Sequence, residues 1–316
     1  MHERDSKRPM ATDRPVRTAC HFPDVAVAES LPPIRECATN FLVHLRLPFQ
    51  LVLAPFMLWG AALAHARISP RFLVAFVVLH VCFYGGTTAY NSHYDRDEGP
   101  VGGLANPPPA GPWLLPGSFV LQGLGLIAAA GVSDGFLLAC AAFAILGVLY
   151  SHPRTRWKGK PWASWLVVMI GQGGLGTLAG MVADRHARWS LEMVYGIVAA
   201  VALVGALYPL TQLFQIAEDR KRGDRTVAIV LGRRGVALAA AVLSTIGSAF
   251  AALSARAGGR PIEAAVLAGL AVPMIAGALW VCRPNEVKAI YRRISVVQIA
   301  AGAAFGVYAV VRLIVA

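Results

Sequence analysis

Nine apolar runs follow one another along this chain, at about 48–66, 71–90, 113–131, 134–150, 162–182, 190–216, 234–254, 262–282 and 294–315. Each is close to the roughly 20 residues needed to cross the hydrocarbon core of a bilayer. Lipid offers no partner to a free backbone N–H or C=O, so runs of this length have to be helical. The expected fold is therefore all-α, a polytopic membrane bundle of about nine transmembrane helices. Composition agrees, with 56% hydrophobic and 15% charged residues, against about 45–50% and 25% in soluble domains. Residues 1–40 differ. They mix HERDSKR and DRPVR with a Pro-containing stretch and lack the apolar core of a secretory signal peptide. They read as a solvated, disordered arm ahead of a transmembrane domain at 41–316.

The net charge of +12 raises nucleic acid as a partner, and the distribution of the charge argues against it. With the N-terminus in the cytoplasm, segments 1–47, 91–112, 151–161, 217–233 and 283–293, with Arg234, hold 22 of the 29 Lys and Arg residues. That bias marks an integral, multi-pass protein with these loops on the cytoplasmic side, in the plasma membrane if the cell is prokaryotic. The surplus serves topology and attracts anionic lipid or substrate. Cys20, Cys37, Cys82, Cys140 and Cys282 form no CxxC pair, and no HExxH occurs. Neither a disulfide partner nor a zinc site is expected.

The acids break the pattern. A helix C-terminus favours cations, yet the second run ends in YNSHYDRDEGP, with Asp95, Asp97 and Glu98. The sixth is followed by Glu218, Asp219 and Asp224. By the topology above, both groups lie at the cytoplasmic face. Asn91, Asp95 and Glu98 stand at i, i+4 and i+7 on one helical face. Asp97 joins them only if the helix unwinds before Gly99-Pro100. Tyr208, Gln212, Gln215 and Asp219 form a second stripe, and glutamines inside a membrane helix face a polar cavity or a partner helix. Facing carboxylates repel unless a divalent cation lies between them. Oxygen-only ligands favour Mg²⁺, which usually keeps one or two carboxylates, some waters and substrate phosphates. The expected metal ligands are Asn91, Asp95, Asp97, Glu98, Asp219 and Asp224, and the expected ligand bears phosphate. Among the basic residues, Arg154 and Lys158, four and eight positions beyond Tyr150, are the first choices to meet its oxygens, followed by Lys221 and Arg225. For each of these, the positive-inside bias is the simpler explanation.

At this spacing, NSHYDRDEGP, YSHPRTRWKGKP and YPLTQLFQIAEDRKRGDRTVAIVLG resemble the UbiA-type intramembrane prenyltransferases over roughly residues 40–316. The resemblance implies a helical bundle with a lipid-facing tunnel and an active site at the cytoplasmic end. It also implies two Mg²⁺ ions and transfer of a prenyl group from a polyprenyl diphosphate to an acceptor, most commonly an aromatic quinone precursor. In that reading Tyr150, Arg154 and Lys158 are catalytic. Lys221, Arg225, Tyr90, Tyr208, Gln212 and Gln215 bind substrate. The first family motif, N-D-x-x-D-x-x-x-D, is altered here, with Ser92 at its second position and Gly99 at its last. Asp219 and Asp224 stand five apart instead of four. A membrane terpene cyclase would carry similar motifs. A non-catalytic isoprenoid-diphosphate-binding protein and a transporter are further alternatives. The transporter is disfavoured because both acidic groups sit at one face, where transporter sites lie near the midplane.

Overall fold

The computed structural model describes residues 34–184 and 188–315. Eight helices among them are long and apolar enough to cross a membrane. They are α3 (Pro70–Asp95), α4 (Leu114–Val132), α5 (Asp134–Ser151), α6 (Pro161–Val182), α7 (Leu191–Phe214), α9 (Val227–Ala257), α10 (Pro261–Cys282) and α11 (Val287–Val315). A short helix, α8 (Ile216–Lys221), lies between α7 and α9. The pair α1 (Ile34–Gln50) and α2 (Ala54–Leu63), bent by 48°, makes a ninth if the two are counted as one broken span. The described residues contain no strand beyond an isolated bridge between Val101 and Leu104. The chain is thus the all-α membrane bundle its sequence suggests. Helix α1 begins at Ile34, inside the segment assigned to the arm. Residues 1–33 lie outside the described residues.

The first span is bent where its sequence disfavours helix. Arg46 adopts a left-handed conformation (φ 52°), and Pro48 and Pro55 each sit in the first turn of the next helical segment. Proline is tolerated there because its missing N–H has no partner in the first turn. Two other spans carry π-helical turns, Val78–Gly85 in α3 and Met169–Leu175 in α6. A π turn adds a residue and so re-aims the side chains beyond it. Helices α2 and α6 meet backbone to backbone. A Cβ on Gly60 would strike the Thr177 carbonyl, and one on Gly180 the Met57 carbonyl.

Apolar packing is divided among separate clusters. One joins α2 to α6 through residues such as Met57, Phe83 and Phe136. A second gathers Leu210, Phe214, Val236, Ile290 and Ile294 where α7 ends. A third gathers Trp59, Met193, Ala255 and Leu267 where α7 begins. The space they leave is a cavity of about 700 Å³, and members of all three clusters line it.

Candidate active site

The end of α3 decides which acids reach the cavity. Thr87, Asn91 and Asp95, one turn apart, line it. The helix then stops at Asp95, and Arg96 takes a left-handed conformation (φ 47°). The stop turns Asp97 inward to line the cavity and leaves Glu98 exposed. Glu98 shares the Asn91 face only on an uninterrupted helix, so it does not join the group. Tyr90 stands about 100° around the helix from Asn91. It is fully buried away from the cavity, edge-on to Tyr94 and Phe119. Asn91 Nδ2 donates to Ser151 Oγ at 3.0 Å, tying α3 to the end of α5.

The second acidic group is built from a broken helix. Regular α7 ends at Thr211, two residues after Pro209, and a 3₁₀ turn (Gln212–Phe214) leads into α8. Tyr208, Gln212, Gln215 and Asp219 all line the cavity across this break. Gln212 Oε1 also accepts from the Ala228 N–H at 3.2 Å, serving a free donor at the start of α9. After α8 the chain reverses at Gly223 (φ 76°), and Asp224 N donates to the Asp219 carbonyl at 2.9 Å. Glycine allows that reversal at low cost, and it sets Asp224 beside Asp219.

The loop after α5 supplies the cations. Helix α5 stops at Ser151, before His152 and Pro153. Arg154, expected four residues beyond Tyr150 on the same face, therefore sits on an exposed turn. The chain curls through a left-handed Arg156 (φ 40°) into a 3₁₀ turn (Trp157–Gly159), which buries Lys158 in the cavity mouth. Lys158 Nζ contacts Asp95 Oδ1. Arg156 donates to both oxygens of Asp224 at 2.8 and 2.9 Å. A Cβ at Gly159 would strike that same carboxylate. Arg222 donates to Asp97 Oδ1 at 2.6 Å and to the Asp95 carbonyl at 3.2 Å. Its guanidinium also lies 3.4 Å from Glu218 and 3.8 Å from Asp219. Glu218 Oε1 accepts from the Gly99 N–H at 2.6 Å, joining the two acidic loops. Lys221 and Arg225 are exposed and do not line the cavity. Arg225 joins the loops only through its backbone, N to the Gly159 carbonyl at 3.0 Å.

Three cations at the site were not singled out from sequence. Arg222 had a signal, three and four residues beyond Asp219 and Glu218. Arg156 had none, because a left-handed non-glycine residue is not marked in the sequence. Arg46 lines the cavity from the left-handed turn inside α1, with Nη2 donating to Ser92 Oγ at 2.8 Å.

Along the cavity, away from the acids, Tyr150 and Tyr208 share a hydroxyl hydrogen bond of 2.9 Å. Gln172 also lines the cavity, and much of the remaining lining is apolar, with Phe56, Leu207, Met274 and Phe305. The mouth carries four carboxylates and three cations. Burial pushes the Asp219 carboxyl up to about 6; Arg222 pulls it down, and the Asp224 and Asp97 carboxylates add to the rise. Burial also lowers the Lys158 ammonium to about 8 against the pull of Asp224 and Asp219. The touching Asp95 carboxylate favours its charged form.

The model of the UbiA prenyltransferase family matches residues 53–301. The chain belongs to that family. A solved UbiA homolog from Archaeoglobus fulgidus bound to DMAPP and Mg²⁺ is similar, with a TM-score of 0.62 and 19% identity over 85% of this chain and 98% of that one. The same homolog bound to GPP and Mg²⁺ gives 0.61 and 19%, covering 85% and 99%. A UbiA homolog from Aeropyrum pernix K1 gives 0.57 and 18%, covering 81% and 96%. These likenesses concern the fold. No curated protein matches the sequence.

Does this UbiA-family site fit a divalent cation? Among the described residues, no three Asp, Glu, His or Cys side chains are close enough to hold an ion unaided. The donor chemistry nevertheless suits Mg²⁺. Every candidate is an oxygen ligand, and Mg²⁺ takes part of its shell from water and phosphate. Asp219 gives the specific indication. It is buried, and its nearest guanidinium stands 3.8 Å away, beyond hydrogen-bond range. That carboxylate is short of positive charge.

Proposed function

We propose that this UbiA-family protein transfers a prenyl group from an isoprenoid diphosphate to an acceptor within the membrane, with Mg²⁺ at the diphosphate. The supporting observation is a single cavity whose charged mouth opens into an apolar chamber. Such a cavity suits a ligand with a polyanionic head and a hydrocarbon tail. The Archaeoglobus fulgidus homolog bound to DMAPP and Mg²⁺ supports the same reading. The resemblance to the family makes an aromatic ring of the quinone-precursor kind the first acceptor to test. By the basic-loop bias, the mouth faces the cytoplasm.

We assign Asn91, Asp95, Asp97, Asp219 and Asp224 as the Mg²⁺ ligands. Bound there, the ion supplies positive charge to the phosphate oxygens. Lys158, Arg222 and Arg46 donate to the remaining oxygens. Their ion pairs and hydrogen bonds hold them in position, so little reorganisation is needed as charge grows on the leaving group. The C–O bond breaks, and the diphosphate departs with the electron pair. The ring faces of Tyr150 and Tyr208 stabilise the allylic cation, at about 1–2 kcal/mol each when desolvated. The apolar walls exclude the water that would quench it. The acceptor then attacks the allylic carbon and loses a proton.

The test uses protein reconstituted in lipid, with radiolabelled farnesyl and geranylgeranyl diphosphates, Mg²⁺ and a panel of aromatic and non-aromatic acceptors. Acceptor-dependent release of diphosphate, lost in Asp95→Ala, is the expected result. Release without acceptor, giving a rearranged hydrocarbon, would identify a cyclase. No release from either donor, with donor binding unchanged in Asp95→Ala, would overturn the metal–diphosphate reading.

A further inference from the structure

The far end of the cavity is lined by aromatic rings, and one of them is pinned in place. Helix α11 runs the length of the chamber. Ile290 and Ile294 pack with Phe214 where α7 ends. Tyr308 reaches, through Glu263 and Arg260, the residue Glu192 where α7 begins. The α11 residues lining the cavity extend from Val296 to Tyr308, roughly 18 Å of helix. Along this length, Gly277 of α10 and Ala301, Gly302 and Ala304 of α11 line the cavity and leave room. At its end the room stops. Phe56, Phe305 and Tyr308 line the cavity there. Phe305 and Tyr308 are stacked at 6.3 Å, and Trp59 lies behind them at 5.4 and 5.7 Å.

The Tyr308 hydroxyl donates to Glu263 Oε2 at 2.9 Å. The same carboxylate is met by Arg260 at 2.9 Å and Arg312 at 3.5 Å, and Arg260 is held by Glu192 at 2.6 Å. The ring is thus fixed to a network spanning α7, α10 and α11. A phenol bonded to a paired carboxylate is costly to swing aside, because hydrogen bonds to charged groups are roughly twice as strong as neutral ones. A tail that overruns the chamber along α11 must overlap the ring, break that bond, or turn aside past the exposed lining residues Val266, Leu270 and Val296.

We propose that Tyr308 is a specificity-determining residue that sets the longest prenyl chain the protein accepts. The proposal rests on the function proposed above. It predicts a length limit set by the bulk of the ring and by the bond that pins it, so that Tyr308→Phe relaxes the limit in part and smaller residues extend it further.

The test measures binding and turnover separately, in lipid nanodiscs with Mg²⁺. Non-reacting thiolodiphosphates carrying dimethylallyl, geranyl, farnesyl, geranylgeranyl and longer chains give affinity against length. The matching diphosphates give release. Wild-type affinity is expected to rise with each isoprene unit and then fall. Tyr308→Leu and Tyr308→Ala are expected to move the fall outward by at least one unit, with a tenfold or greater gain for the first chain beyond the wild-type limit. Tyr308→Phe, whose ring lacks the bond to Glu263, is expected to give a smaller gain. An unmoved limit in both smaller variants, with the short ligands still bound, would overturn the assignment. Should those variants misfold, Ala301→Phe decides. Its ring, about two turns nearer the acids, shortens the limit if the tail runs along α11, and an unmoved limit overturns the proposal. Failure of the wild-type protein to bind or turn over even the shortest ligands would overturn the proposed function itself, and the role of Tyr308 with it.

Discussion

After α3, each carboxylate that reaches the cavity is met by a cation from another part of the chain. Asp95 has Lys158, and Asp97 has Arg222 at 2.6 Å. After α7 the two carboxylates are treated unequally. Asp224 is gripped at both oxygens by Arg156, while Asp219 has no cation in hydrogen-bond range, only an Arg222 already committed to Asp97 and the longer-range pull of Lys158. A buried charge without a close partner is expensive. The contrast suggests that Asp95, Asp97 and Asp224 hold the loops and cations together besides facing the ion, and that Asp219 carries the largest charge deficit a bound cation would satisfy.

The largest effect that tests this contrast is on turnover. Asp219→Asn is expected to lower Mg²⁺-dependent diphosphate release by about 10²–10³-fold, the size of loss seen when one electrostatic stabiliser is removed. A loss smaller than tenfold would mean that Asp219 is not a metal ligand. Next comes stability without metal, read by thermal unfolding in detergent with chelator. Arg156→Ala leaves Asp224 buried and unpaired and is expected to cost about 3 kcal/mol. Asp219→Asn removes a poorly compensated charge and is expected to raise the unfolding temperature. The opposite signs are the test, and destabilisation by both would remove the distinction between the two acids.

The same residue governs the expected pH dependence. Its folded value of about 6 lies above the roughly 4 of an unfolded aspartate. The folded state therefore holds a proton that the unfolded state has released between those values. The resulting stability is fully present below about pH 4 and is lost as pH rises through 6, by up to about 3 kcal/mol for two pH units. Unfolding midpoints measured with chelator from pH 4 to 7 should show this fall, and Asp219→Asn should flatten it. Added Mg²⁺ should oppose the fall above pH 6, where the carboxylate is free to bind it.

The helical bundle of membrane spans and the meeting of the two acidic groups were legible because both rest on signals spread over many residues, apolar length and clustered charge. The site's detail was less so wherever a helix ended earlier than its periodicity suggested. Extending the α3 face by seven residues from Asn91 selects Glu98, but the left-handed Arg96 ends the helix and delivers Asp97. Extending α5 by four from Tyr150 selects Arg154, but the stop at Ser151 leaves it outside, and the left-handed Arg156 returns Lys158. Non-glycine residues at positive φ have no marker in the sequence. Where glycine does mark the reversal, at Gly223, the approach of Asp224 to Asp219 could be anticipated. Arg46 was hidden for a related reason, since it sits at a bend inside what reads as the approach to a straight span.

The smallest expected effect separates cations that line the cavity from those that only flank it. Arg154, Lys221 and Arg225 are exposed and do not line it, and the same holds for the acid Glu98. Exposed substitutions away from special contacts usually fall within about 0.5 kcal/mol. Changing each of these residues to Gln should therefore leave the unfolding midpoint nearly unmoved and release within about twofold, since 0.5 kcal/mol is little more than a factor of two. Arg225→Gln is the most pointed of the four. The hydrogen bond this residue makes across the loops comes from its backbone N–H to Gly159, which the substitution keeps. Arg222→Gln, three residues earlier, removes the guanidinium that serves Asp97, Glu218 and Asp219 together, and should behave like loss of an acid. A strong effect of Arg225→Gln would mean that its side chain turns inward when diphosphate binds, and the boundary drawn between lining and flanking cations would have to move outward to include it.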